Sequence, residues 1–92
     1  TPRQSAPAPE PLPSADRCDL RGLRVDEAVD QLQAALDRAA LGNRNRLAIL
    51  HGVGTGALRE AVQRHLRESP YVSRFHRADP EAGGDGVTIA EL

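Results

Sequence analysis

The 92-residue sequence has no Lys, no Met and no Trp, and only one Cys, one Phe and one Tyr. Each shortage closes off a class of function. A Walker phosphate loop needs Gly-Lys-Ser/Thr, so the lack of Lys excludes it. One cysteine, Cys18, cannot form an internal disulfide or a cysteine-based zinc site, and this fits a reducing cytoplasm. With a single Phe and a single Tyr, the chain cannot build an RNA-binding sheet of stacking aromatics. No run approaches the ~18 apolar residues of a membrane span, so neither a signal peptide nor a membrane partner is expected. A net charge of −1 excludes a globally basic nucleic-acid binder. The missing initiator Met predicts a fragment of a longer protein.

All 12 basic residues are Arg. A GC-rich genome accounts for that, yet it also gives every cation the planar fork suited to phosphate. Five of the seven prolines fall in residues 1–16, TPRQSAPAPEPLPSAD. That stretch reads as an extended, mobile linker of polyproline-like geometry. Residues 17–92 are the expected domain, with a core near the lower size limit for stability.

Residues 17–21, RCDLR, read as a short strand, with Cys18 and Leu20 on one face and Asp19 and Arg21 on the other. A helix follows, with a stripe of Val25, Ala28, Val29, Leu32, Leu36 and Ala39. Asp26, Glu27 and Asp30 sit in its early turns, where the helix dipole favours anions, and Gly42-Asn43 ends it. Residues 46–50, RLAIL, suit a central strand. A second helix over 57–68 carries Leu58, Val62 and Leu66 and stops before Pro70. Strands over 72–77 and 86–92 flank a turn at 79–85. The order βαβαββ predicts an α/β fold, a two-layer sandwich of a four-stranded mixed sheet. Right-handed crossovers put both helices on one face if the first three strands progress in one direction. Ligands of such sheets gather at the carboxyl ends of parallel strands, where Asp19, Arg21 and His51 fall.

Between the second strand and second helix lies HGVGTG, His51–Gly56. Gly52, Gly54 and Ala57 formally match a dinucleotide fingerprint. The chain is too short for that fold, and no acid closes a strand about 20 residues on. Two readings remain: a tight turn whose glycines permit positive φ, or an anion site at the start of the second helix with Arg59 in its first turn. His51 alone is a weak signal, since a strand-end histidine commonly serves as a structural hydrogen-bonder. His65 and His76 read as solvated or packing residues, and Asp19 beside Arg21 could be a surface ion pair worth ~0–1 kcal/mol. Arg64, Arg67, Arg74 and Arg77 read as ordinary solvated charges or as an extension of a phosphate-gripping rim. The conjunction of carboxylate, guanidinium, imidazole and glycine loop at one sheet end is what points to a site.

Three stretches, CDLRGLRVDEAV, ILHGVGTGALREAVQRHL and GGDGVTIAEL, resemble the motifs of the Smr (small MutS-related) domain, in order and at matching intervals over residues 18–92. The wording looks most like the C-terminal domain of the second-type bacterial MutS paralogue. Cys18 replaces the usual Leu of the first motif, and Val53 stands where many members carry Lys. The resemblance implies a fold similar to the C-terminal domain of translation initiation factor three. It implies endonuclease (nicking) activity on DNA or RNA, within a longer chain with an N-terminal ATPase portion, in recombination suppression or ribosome rescue. The competing expectation is a non-catalytic module that binds nucleic acid or the ribosome.

On the nuclease expectation, His51 serves as general acid or base, with Asp19 and Arg21 completing the catalytic set. Asp19 orients His51 or Arg21, or ligates Mg²⁺ or Mn²⁺. Gly52, Gly54, Thr55, Gly56 and Arg59 hold the phosphate oxygens.

Overall fold

The computed structural model describes residues 15–92. Residues 1–14, most of the expected linker, lie outside the described residues. Strand β1 (Ala15–Asp19) begins two residues inside the stretch read as linker. It is followed by α1 (Val25–Leu41), β2 (Arg46–Leu50), α2 (Ala57–Glu68), β3 (Arg74–Arg77), 3-10 turns at Pro80–Ala82 and Gly84–Gly86, and β4 (Val87–Glu91). This is the expected βαβαββ order.

The sheet order is β1-β2-β4-β3. β1 and β2 are parallel, and β4 runs antiparallel to both β2 and β3. The last strand thus fills a gap that the second crossover leaves, and its backbone pairs on both sides. Both helices cover one face and the other stays open, a two-layer α/β sandwich.

Each strand differs little from its expected span, for local reasons. β1 stops at Asp19 because its partner β2 ends: Leu20 N–H makes the final ladder bond to the Leu50 carbonyl (2.8 Å), and a turn at Gly22 (φ +83°) follows. Arg21 is therefore a turn residue. β3 starts at Arg74 rather than residue 72, after Ser73 turns both its N–H (2.7 Å) and its hydroxyl (3.0 Å) onto the Glu91 carbonyl.

Register assigns the faces. Cys18, Ile49 and Thr88 lie side by side across β1, β2 and β4, as do Asp19, Leu50 and Val87 in the next row. Side chains alternate along a strand, so these rows point to opposite faces. The first row meets the helices. There, Leu20, Leu32, Leu36, Leu47, Ile49, Val62 and Leu66 are fully buried. Each such side chain stabilises the fold by roughly 1.5–3 kcal/mol. α1 buries Ala28, Leu32, Ala35, Leu36 and Ala39, a stripe at helical spacing. Val25, expected on that stripe, opens α1 and is 43% exposed. His65 on α2 meets Gln33 on α1 (Nε2 to Oε1, 2.7 Å), and His76 contacts Glu91 on the neighbouring strand (3.2 Å). Both are structural partners, as their positions suggested.

Candidate functional site

Two loops meet at the carboxyl ends of β1 and β2: the turn Leu20–Arg24 and the loop His51–Gly56. Between them lies a cleft of about 570 Å³, with Arg21 and Arg24 on one rim, Arg59 on the other and the glycine loop along its length. The loop is open because its backbone demands it. Gly52, Gly54 and Gly56 all have positive φ, and a Cβ added at Gly54 would meet nothing within 4 Å. Gly56, left-handed, caps the N-terminus of α2 without a side-chain bond of its own. Thr55 supplies one in its place: its hydroxyl accepts from Ala57 N–H at 3.3 Å.

Arg59 folds back over the loop, its Nη2 only 3.6 Å from where a Cβ on Gly56 would sit. Among the described residues no ion pair engages its guanidinium. Arg21 differs. Its Nε and Nη2 donate to the two oxygens of Asp19 at 2.9 and 2.8 Å, and its backbone N–H donates to Oδ1 at 3.1 Å. These side-chain and then backbone hydrogen bonds from Arg21 hold the Asp19 carboxyl down at about 2, against an ordinary 3.8. The same pairing raises Arg21. Both oxygens of Asp19 thus accept from Arg21.

His51 is 4% exposed and lies against the cleft with both ring nitrogens engaged. Nδ1 lies 2.8 Å from the Gly52 carbonyl, and Nε2 lies 2.8 Å from the Thr88 hydroxyl, itself buried. A carbonyl can only accept, so Nδ1 carries the hydrogen. In the neutral ring Nε2 then accepts from Thr88; in the charged ring it donates to it. The imidazole ties the loop to β4.

Of the two groups that Asp19 was expected to orient, His51 or Arg21, the structure pairs it with Arg21. Asp19 and His51 end neighbouring parallel strands, but Asp19 shares the open face with Leu50, whereas His51 shares the helix face with Leu20 and Thr88. The structure groups His51, Gly52, Gly54, Thr55, Gly56, Arg59 and Arg21 around one cleft and leaves Asp19 behind Arg21. Sequence reasoning missed Thr88 and Arg24. Thr88 is the one polar residue in VTIA, and its place beside His51 follows only once β4 is known to pair with β2. Cys18, a conservative inward change, is buried as expected, and burial pushes its thiol up. Val53 is exposed at 61% on the loop, a surface position open to the cation it lacks.

Comparison with known proteins agrees with this geometry. The Smr domain model matches residues 18–92. The chain is 49% identical over 76 residues to an endonuclease MutS2 of Streptococcus equi subsp. equi, covering 83% of this chain and 10% of that protein. It is 50% identical over 74 residues to an endonuclease MutS2 of Staphylococcus carnosus, covering 80% and 10%. The chain therefore spans about a tenth of the length of these relatives. Among solved structures, the Smr domain of Thermus thermophilus MutS2 superposes with a TM-score of 0.82 at 44% identity, over 84% of this chain and 96% of that one. YdaL, a stand-alone small MutS-related protein from Escherichia coli, shares the fold at TM-score 0.79 and 24% identity, over 83% and 63%.

Proposed function

The chain belongs to the Smr domain family, and from that premise we propose that it binds nucleic-acid backbone in the glycine-loop cleft. The observation that carries this reading is Arg59: a guanidinium not ion-paired among the described residues, folded over an open glycine loop at a helix N-terminus. Backbone N–H groups and a helix dipole favour an anion there, and Arg adds a charge-assisted bond. Phosphate is the anion that nucleic acid presents at every residue. In a longer chain with an ATPase portion N-terminal to it, such a module would bring that machinery to DNA, RNA or the ribosome.

Cleavage is the second reading, favoured by His51 against the same cleft and by relatives named endonuclease MutS2. Water is the nucleophile for DNA and the 2′-OH can be for RNA. His51 would take or give the proton, and for that Nε2 must exchange Thr88 for the substrate. Arg21 and Arg59 would offset charge on the phosphoryl oxygens. A Mg²⁺ or Mn²⁺, if bound, would be held by the half-exposed Asp19 carboxylate beside Arg21 and would supply charge stabilisation to the phosphoryl oxygens.

The test is binding and cleavage by the purified chain on supercoiled plasmid and on single-stranded RNA, with and without EDTA. Salt-sensitive binding lost in Arg59→Ala supports the binding reading. Nicking that disappears in folded His51→Gln supports cleavage. Binding unchanged in Arg59→Ala overturns the loop assignment.

A further inference from the structure

On the other side of Arg59 lies a separate cleft of about 290 Å³. Arg59 and Gln63 of α2 form one wall, Arg77 of β3 and Asp85 of the turn before β4 form the other, and Thr88 stands between. None of Gln63, Arg77 and Asp85 touches the glycine loop cleft, but Arg59 lines both. Arg77 is pre-positioned: its Nη1 donates to Asp85 Oδ1 at 2.8 Å, and both side chains are well exposed. The volume is near the lower end of the ~300–1,000 Å³ typical of small-ligand sites.

This chemistry is mixed. Two guanidiniums favour a phosphate, while the carboxylate of Asp85 and the amide of Gln63 suit hydroxyls or base edges and would disfavour a bare anion. A nucleotide carries both kinds of group; inorganic phosphate carries one. Because Arg59 presents five N–H donors in a fork, it can face a phosphate on each side. We infer that the Gln63–Arg77–Asp85 cleft is a second nucleotide subsite, which takes the nucleotide adjacent, on the same strand, to the one whose phosphate sits at the glycine loop. The inference rests on the glycine-loop binding reading and extends it: the strand passes beneath Arg59 from one cleft to the other, and Arg77 is its second phosphate contact.

The experiment uses the 92-residue chain, a 5′-mononucleotide and single-stranded oligonucleotides of two to eight residues. Affinity is measured by anisotropy, and contact by amide chemical shifts. Mononucleotides should move the amides of Gly54 and Gly56 alone; longer strands should also move those of Gln63 and Thr88. Arg77→Ala should leave mononucleotide binding unchanged and weaken octanucleotide binding about tenfold, as expected for one charge-assisted bond. Its slope of log K against log salt should fall by about 0.7 on single strands. Arg77→Gln, which keeps the side-chain bulk, should behave the same way with an unchanged melting temperature. If Arg59→Ala weakens every length while Arg77→Ala and Arg77→Gln change none, the second subsite is wrong and the loop assignment stands. If Arg59→Ala itself changes nothing, the loop assignment fails first. Gln63 and Thr88 amides that stay fixed with the octanucleotide bound also overturn the subsite.

Discussion

The two glycine-rich turns of this domain look alike in sequence and use glycine for opposite reasons. In the turn before β4, Gly83 has φ +121°, and a Cβ there would overlap Val87 Cγ2. The turn closes on itself through Gly84 N–H to the Asp79 carbonyl (3.0 Å) and Gly86 N–H to the Gly83 carbonyl (3.1 Å). In the β2–α2 loop, Gly54 has φ +26° and open space where a Cβ would go. Gly83 is glycine because nothing else fits; Gly54 because the chain must bend left-handed while its backbone stays uncovered. The packed turn also supports the open one. The Gly86 carbonyl accepts from both His51 N–H (3.0 Å) and Gly52 N–H (2.9 Å). Glycine content therefore does not identify a binding loop; glycine beside empty space and uncommitted donors does.

Breaking the packed turn should have the largest effect on stability. Gly83→Ala forces a methyl into Val87 and imposes a left-handed alanine, a cost of about 3 kcal/mol in total. For a domain of this size that lowers the melting temperature on the order of 10–20 °C, which a calorimetric scan reads directly. A shift of only a few degrees would mean the turn can relax, and the contrast between the turns would collapse.

His51→Ala comes next. It empties a buried site and strands the Thr88 hydroxyl and the Gly52 carbonyl, at about 2 kcal/mol. Thermal melting checks this. A stability equal to wild type would show that the ring is not the tie between loop and β4. Loss of cleavage in this variant must be read per folded molecule.

Gly54→Val sharpens the contrast. The left-handed penalty is about 1–2 kcal/mol, with no clash to add. Binding should fall further than stability does, because the isopropyl group occupies the space a phosphate would enter. Gly83→Ala should show the reverse ratio when affinity is measured on its folded fraction. Arg59→Ala has a smaller effect on the fold: a melting temperature near wild type, with a salt slope flattened by about 0.7–0.9 for the lost contact. Titration of affinity against salt decides it.

How much of this was readable beforehand depends on whether the signal was local. β2 at Arg46–Leu50 and α2 at Ala57–Glu68 fall where their sequence patterns put them, because apolar runs and a glycine or proline boundary act within a few residues. The position of β4 between β2 and β3 is set by long-range pairing that no local pattern encodes. Whether Asp19 would meet His51 or Arg21 was hidden for a related reason. Alternation in RCDLR is clear, and Asp19 and Arg21 do share a face. RLAIL is apolar at every position from Leu47 to Leu50, so its parity is hidden, and with it the face that His51 takes. Only the register shows that His51 joins the helix side. Thr88 was invisible as its partner for the same reason that the place of β4 in the sheet was.

The smallest expected effect concerns the pair at the rim of the cleft. Asp19 and Arg21 are both about half exposed, so solvent screens their attraction. The direction is nonetheless fixed. The Asp19 carboxyl is lowered in the folded chain, from 3.8 to about 2, first by the Arg21 side chain and then by its backbone N–H. A lowered acid stabilises the fold fully above its unfolded value and loses that contribution as pH falls through the folded one. The pair should thus support the fold above pH 3.8 and cease to do so on acidification through about 2. The carboxyl resonance of Asp19, followed by NMR, should titrate with a midpoint near the lower value; a midpoint near 3.8 would show that the bidentate pair does not persist in solution. Asp19→Asn removes the charge that holds Arg21 on the open face. At neutral pH this should lower stability slightly and tighten nucleic-acid binding, because Arg21 already lines the cleft and gains freedom to reach a phosphate. Weaker binding in Asp19→Asn, with the fold intact, would instead mean that the carboxylate aims Arg21 at the cleft.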